Sequence, residues 1–178
     1  MKTLLICTLL GLIVSCVNDL ESIQKVTYDP KAPSEATKNL HVIYNDSGYA
    51  RVEVFAKFAE SYTSPENVTF LKNGIKVNFF GENGEIVSTL TALNGEINSD
   101  KRTMQVKDSV QLINHKKRQR LETESLHWNQ GDSSIYTQST VTVRSPQGIL
   151  FGDGIRTKQD FTSYEFLRPS GRVYFNKK

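Results

Sequence analysis

From His41 onward, hydrophobic and polar residues alternate with a period of two in nearly every window. Val52, Val54, Ala56 and Phe58 share one side, Arg51, Glu53 and Lys57 the other, and Ile75, Val77 and Phe79 alternate with Lys76 and Asn78. Met104, Val106, Val110 and Leu112 continue the pattern against Gln105, Lys107 and Gln111, with Asp108 as its one polar break. Val141 and Val143 stand against Thr142 and Arg144, Ile149 and Phe151 against Leu150, and Val173 and Phe175 against Arg172. Successive side chains of a strand leave on opposite faces, so this period predicts strands with one buried face. Turn signals separate them at Asn73-Gly74, Glu82-Asn83-Gly84, Asn94-Gly95, Ser99-Asp100, Gln130-Gly131-Asp132, Pro146-Gln147-Gly148 and Pro169-Ser170-Gly171. No window reads as a helix of ordinary length.

The strands and turns recur. Ile97 and Trp128 occupy equivalent places 31 residues apart, as do Val110 and Val141. Upstream, Phe55 to Tyr62 matches Leu90 to Ile97 at an offset of 35, and downstream Val173 follows Val141 by 32. About four copies of a strand-turn-strand unit result. A unit of this size cannot bury a face alone and must stack on its neighbours.

The N-terminal stretch has a different pattern. Lys2 precedes an uncharged apolar run from Leu4 to Val14, and Ser15 stands directly before Cys16. The run is about half of the ~20 residues a spanning helix needs, so it reads as a secretory signal. Its close resembles a lipobox, in which Cys16 is the site of lipid attachment and the new N-terminus. Cys7 does not fit that role, because bulky Ile6 precedes it and too little apolar run lies upstream. Several acyl chains hold a protein at a membrane far more firmly than one, each buried CH₂ adding roughly 0.8 kcal/mol. The polar stretch that follows contains Pro30 and Pro33 and shows no sustained period. The expected organisation is a lipoprotein signal peptide at 1–15, a lipidated cysteine and flexible tether at 16–39, and one β domain at 40–178.

Composition excludes several functions. The chain has 22 Lys+Arg against 19 Asp+Glu, and removal of Lys2 with the signal makes the balance still more even, so nucleic acid is not an expected partner. Of the two cysteines only Cys16 follows the cut, which leaves no disulfide and no cysteine metal site. His41, His115 and His127 lack metal-ligand spacing, and no paired acids or nucleophile motif stands out. No metal, cofactor or catalytic residue is expected. His115-Lys116-Lys117-Arg118-Gln119-Arg120 reads as the solvated tip of a hairpin, with contact to lipid headgroup phosphates or a membrane surface as the competing role. Gly152-Asp153-Gly154 lacks the context of a nucleotide loop and reads as a turn or bulge where backbones pass closely.

With these features in place the chain resembles the LptC family, periplasmic components of lipopolysaccharide export. The resemblance runs over roughly Tyr49 to Phe175. It is carried by Leu90 to Gly95, Asp108 to Leu112, Leu121 to Asn129, Ser139 to Val141 and Gly152 to Gly154, in that order and spacing. One departure is the lipidated Cys16 where many members keep an uncleaved membrane helix.

The resemblance implies an all-β fold, a twisted antiparallel jellyroll or V-shaped two-sheet sandwich over 40–178 whose interior binds lipid. It implies a membrane-anchored carrier in the periplasm, with the inner membrane favoured. The carrier accepts lipopolysaccharide from the permease subunits of an inner-membrane ABC transporter and passes it to a periplasmic bridge jellyroll protein. Val54, Phe58, Phe70, Val77, Phe79, Val106, Val110, Trp128 and Val141 are the candidates to line the interior; ordinary core filling is the competing role for each. Val173, Tyr174 and Phe175, flanked by Arg172, Lys177 and Lys178, are the candidate partner-strand edge. A structural or adhesive β-repeat lipoprotein without a lipid ligand is the alternative.

Overall fold

A computed structural model describes residues 31–46 and 48–175, the last five of these by backbone alone. The described chain is all β. Its ten strands are β1 (Glu35–Asp46), β2 (Tyr49–Tyr62), β3 (Val68–Phe80), β4 (Ile86–Ala92), β5 (Asn94–Asn98), β6 (Thr103–Asn114), β7 (Gln119–Asn129), β8 (Ser134–Ser145), β9 (Gly148–Lys158) and β10 (Tyr164–Phe175). All belong to one antiparallel sheet in chain order, with β4 and β5 end to end in a single lane between β3 and β6. Short turns make consecutive strands neighbours. Strand β1 starts at Glu35, which pairs with Ser61, so residues 35–39 of the expected tether are already sheet.

The internal repeat is this meander. An offset of 31 carries the bounds of β6 onto those of β8, and an offset of 35 carries the start of β3 onto that of β6. Each copy is a hairpin: β2–β3, the β4/β5 lane with β6, β7–β8, and β9–β10.

A row of irregularities crosses the sheet at mid-strand. Lys57 of β2 faces two residues of β3, Asn73 and Gly74. Leu93, between β4 and β5, accepts from the Gly74 N–H at 2.9 Å and donates to the Asp108 carbonyl at 3.0 Å. Asp108 and Ser109 of β6 face Glu124 alone, and Gln138 and Ser139 of β8 face Gly154 alone. Asn39, Asn73, Asp108, Ser109 and Gly154 all have positive φ. An extra residue bends its strand and increases local twist. Aligned across the sheet, such bulges form a crease that divides it into two arms.

The arms close on each other. Ser88 and Asn114 are paired at the tip of one arm, whereas Gln159 and Asp160 follow β9 at the tip of the other. Ser88 Oγ nevertheless donates to the Gln159 carbonyl, and Asn114 Nδ2 to that of Asp160 at 2.7 Å. In a flat sheet, strand ends separated by an 11-residue strand lie about 35 Å apart, so these contacts require folding at the crease. The result is a jellyroll-like β-sandwich with one buried cluster between its arms.

The crease also decides which side chains enter that cluster. Strands that carry two residues at the crease keep their phase, so Leu71, Ile75, Val77 and Phe79 of β3 and Met104, Val106, Val110 and Leu112 of β6 are all buried. Opposing strands slip by one. In β2 the buried series Val52, Val54, Ala56 resumes at Ala59, and Phe58 lies on the other face beside Lys72, not with Val54 as its spacing predicts. In β9, Leu150 packs against the core, so the expected pairing of Ile149 and Phe151 against it places those two outward.

Four expected turns are close to their places, whereas Asn73-Gly74 is a bulge inside β3, Asn94-Gly95 opens β5 as paired strand, and Pro169-Ser170-Gly171 lies inside β10. There Gly171, Arg172 and Val173 stand opposite the single residue Leu150. Gly152-Asp153-Gly154 is strand, not turn, and the close backbone passage expected there occurs at Gly154, 3.1 Å from the Thr137 carbonyl by its absent Cβ.

Candidate functional site

The inner faces of the two arms define the one extended apolar surface that the fold encloses among the described residues. Val54, Val77 and Phe79 come from one arm, as do Val110 and Val141 on the same side of the crease; Val106 and Trp128 come from the other. All seven are buried, Trp128 being the most accessible at 8%. Alternation and the phase-keeping bulges of β3, β6 and β8 bring them together. Phe79 meets Trp128 across the gap, edge to face at 5.6 Å. Phe70 is not brought to this surface: it is 37% exposed on the outer face of β3, with its ring against Tyr62 at 5.7 Å. Phe58 is outside with it.

The interior is nearly full. About 90 Å³ remains between Tyr44, Val54, Ile97, Met104 and Trp128, and a rim cavity of about 260 Å³ opens beside it between Asn45 and Arg51 on one arm and Arg102, Gln130 and Gln159 on the other. Pockets for small molecules usually span roughly 300–1,000 Å³. The Trp128 indole N–H is buried without a hydrogen-bond partner, which buried donors seldom are. Burial raises the Tyr44 and Tyr164 phenols above their ordinary range, keeping both neutral.

Phe161 completes this interior and no sequence pattern pointed to it. It stands in the short β9–β10 loop between Asp160 and Thr162, outside any alternating run, and is completely buried. Leu71, Leu112, Leu121, Leu126, Ile135 and Ile155 are buried here too and are not among the lining candidates, although period two marks most of them.

The outer face of the Val77 arm is polar and tied together. His41 Nε2 lies 2.9 Å from Glu53 Oε1, Asn78 Nδ2 donates to Glu53 Oε2 at 2.9 Å, Thr89 Oγ1 donates to Asn78 Oδ1 at 3.1 Å, and His115 Nε2 lies 2.8 Å from Thr89 Oγ1. The Asn78 hydrogen bond first, and His41 second, hold the Glu53 carboxyl below its usual range. His127 stacks on Tyr136 at 5.1 Å, and its pKa is lowered by burial and then by Lys107. Among the described residues no group of three or more His, Cys, Asp or Glu is placed to hold a metal ion.

The basic run is at a hairpin tip: Asn114 pairs with Gln119, and the turn lies between. Lys117 Nζ reaches the Thr162 carbonyl and Arg120 Nη2 pairs with Glu122 at 2.9 Å, so part of its charge is used within the fold. Val173, Tyr174 and Phe175 are in β10, which has β9 as its one strand neighbour among the described residues; Tyr174 pairs with Ile149 and Phe175 with Gly148. Cys16 lies outside the described residues.

A single antiparallel sheet creased into two apolar-lined arms defines a jellyroll-like sandwich module. The family model for lipopolysaccharide assembly, LptC-related, matches residues 4–167. The chain belongs to that family, whose role is in lipopolysaccharide transport. No curated protein matches the chain.

Proposed function

We propose that this protein is a membrane-anchored lipopolysaccharide carrier that accepts lipid from an inner-membrane ABC transporter and hands it to a periplasmic bridge jellyroll. Acyl chains enter between the arms, against Val54, Val77, Phe79, Val106, Val110, Trp128 and Val141. The carrying observation is the crease: it joins the arms along one side only, so their inner faces can part without breaking strand pairs elsewhere in the sheet. Apolar walls that separate are stabilised again by an apolar guest. Strand β10 offers an edge unpaired among the described residues for the next jellyroll, since backbone donors and acceptors at a sheet edge recruit another strand. Cys16 supplies the lipid anchor that holds the module on the periplasmic side. Transport of this kind needs no chemistry in the carrier.

Photo-crosslinking residues placed singly at Phe79, Val106 and Val141 are expected to trap lipopolysaccharide in cells, while those at Lys76, Gln105 and Thr142 are not. Equal labelling of both sets rejects the interior as the lipid site.

A further inference from the structure

We propose that the β9–β10 loop, residues 159–163, is a displaceable latch, and that the place its Phe161 ring fills between the arms is an acyl-chain site. The inference deepens the carrier reading above and rests on it.

Phe161 has a φ of 48°, a left-handed conformation that a bulky side chain rarely adopts. Its N–H closes a tight turn on the Lys158 carbonyl at 2.9 Å. This unfavourable backbone delivers the ring inward, where it is fully buried 5.5 Å from Tyr164, which in turn meets Phe166 at 5.7 Å. The loop thus inserts one apolar group into a space walled by others. Removing that ring would bare an apolar space the size of the ring itself.

What ties the loop to the facing arm, apart from the Phe161 ring, is polar. Ser88 Oγ donates to the Gln159 carbonyl, Asn114 Nδ2 to the Asp160 carbonyl at 2.7 Å, and Lys117 Nζ to the Thr162 carbonyl. All three donors belong to one arm's tip, and all three acceptors are main-chain oxygens of a loop leaving the other. None is a strand-to-strand ladder bond. Release therefore exchanges these three hydrogen bonds for bonds to water, leaves the sheet paired and uncovers the Phe161 ring, a cost offset by the acyl chain that takes the vacated place. Gln159 also lines the 260 Å³ rim cavity, so the latch borders an opening already present between the arm tips. The guest that replaces a buried phenyl ring among apolar walls must be uncharged and one chain wide, which describes a fatty acyl chain and excludes a headgroup.

The test uses the full chain in detergent micelles and fluorescently labelled lipid A as the probe. Phe161→Ala is expected to tighten binding by about tenfold, as it would if the latched state held about nine-tenths of the population. Lys117→Ala is expected to act in the same direction without altering the interior. In a Trp128→Phe background, the indole of F161W should emit at longer wavelength after lipid A is added, as it leaves its buried seat. Variants that stay folded by circular dichroism yet bind as the wild type does, with F161W emission unmoved, overturn the latch while leaving the carrier intact. Absence of lipid A binding by the wild type and every variant instead overturns the carrier reading. Should Phe161→Ala fail to fold, Lys117→Ala and F161W decide the matter.

Discussion

The rings of Phe79 and Trp128 meet edge to face at 5.6 Å although they belong to opposite arms of one sheet. Their contact is a direct measure of how firmly the arms close. Truncating a buried phenylalanine removes its transfer free energy and leaves a cavity, so Phe79→Ala should lower unfolding free energy by about 3–5 kcal/mol in urea titrations. Trp128 is the single tryptophan, so its emission should shift to longer wavelength in the same variant. A loss below about 1 kcal/mol, the size of a minor repacking, would contradict tight closure there.

Gly154 tests the crease itself. It has φ +74°, and a Cβ there would lie 2.8 Å from Leu167 Cδ1 and 3.1 Å from the Thr137 carbonyl. Gly84 has φ +80° but a Cβ there would meet nothing within 4 Å. Both alanine variants incur the left-handed penalty of roughly 1–2 kcal/mol; Gly154→Ala adds a clash with backbone. Its melting temperature should therefore fall clearly further than that of Gly84→Ala. Equal losses would mean that Leu167 and the Thr137 strand yield freely.

These two positions also explain what could be read from the chain before folding. Period two is a local signal, and it identified strands and the buried faces of β3, β6 and β8, where two crease residues preserve phase. It failed at Phe58 and at Ile149 and Phe151 because β2 and β9 carry one residue where their partners carry two, a property of pairing that neither strand records alone. Asn73-Gly74 shows the same ambiguity from the other side: residues suited to positive φ serve a hairpin turn or a bulge equally well. Phe161 was invisible for another reason. Its burial comes from a loop crossing between arm tips, and contacts between residues 46 and 71 positions apart leave no periodic trace.

Acid should expose the polar row on the outer face. Glu53 is held below its ordinary carboxyl range, chiefly by Asn78. A depressed folded pKa contributes stability above the unfolded value, about 4.3 for glutamate, and that contribution disappears as pH falls through the folded value. Glu53→Gln should therefore lower the melting temperature by more at pH 7 than at pH 3. A deficit of the same size at both pH values would assign the effect to packing and not to charge.

Membrane attachment can be separated from folding. Cys16→Ser should release the protein from membranes, since the apolar run before it is too short to span and the signal would no longer be exchanged for acyl chains. The released protein should keep the far-ultraviolet circular dichroism of an all-β domain. Sedimentation of the variant with membranes after a high-salt wash would reject Cys16 as the anchor.

The last prediction concerns the edge at β10. Deleting residues Arg172 to Lys178 removes the pairs of Tyr174 with Ile149 and Phe175 with Gly148 but keeps those from Tyr164 to Ser170. The lost segment begins within the irregularity opposite Leu150, where the ladder is already interrupted, so the remaining sheet should stay folded. What it removes is the outer end of β10, the strand proposed above to extend the meander beyond β9 into another protein. Pull-downs should show weaker binding to the bridge jellyroll and little change toward the transporter. A folded truncation that keeps full bridge binding moves the handover to another edge, of which β1 is the candidate, since it too has a single strand neighbour among the described residues. An unfolded truncation would instead assign Val173, Tyr174 and Phe175 to the stability of the sandwich, which circular dichroism distinguishes before any partner is added.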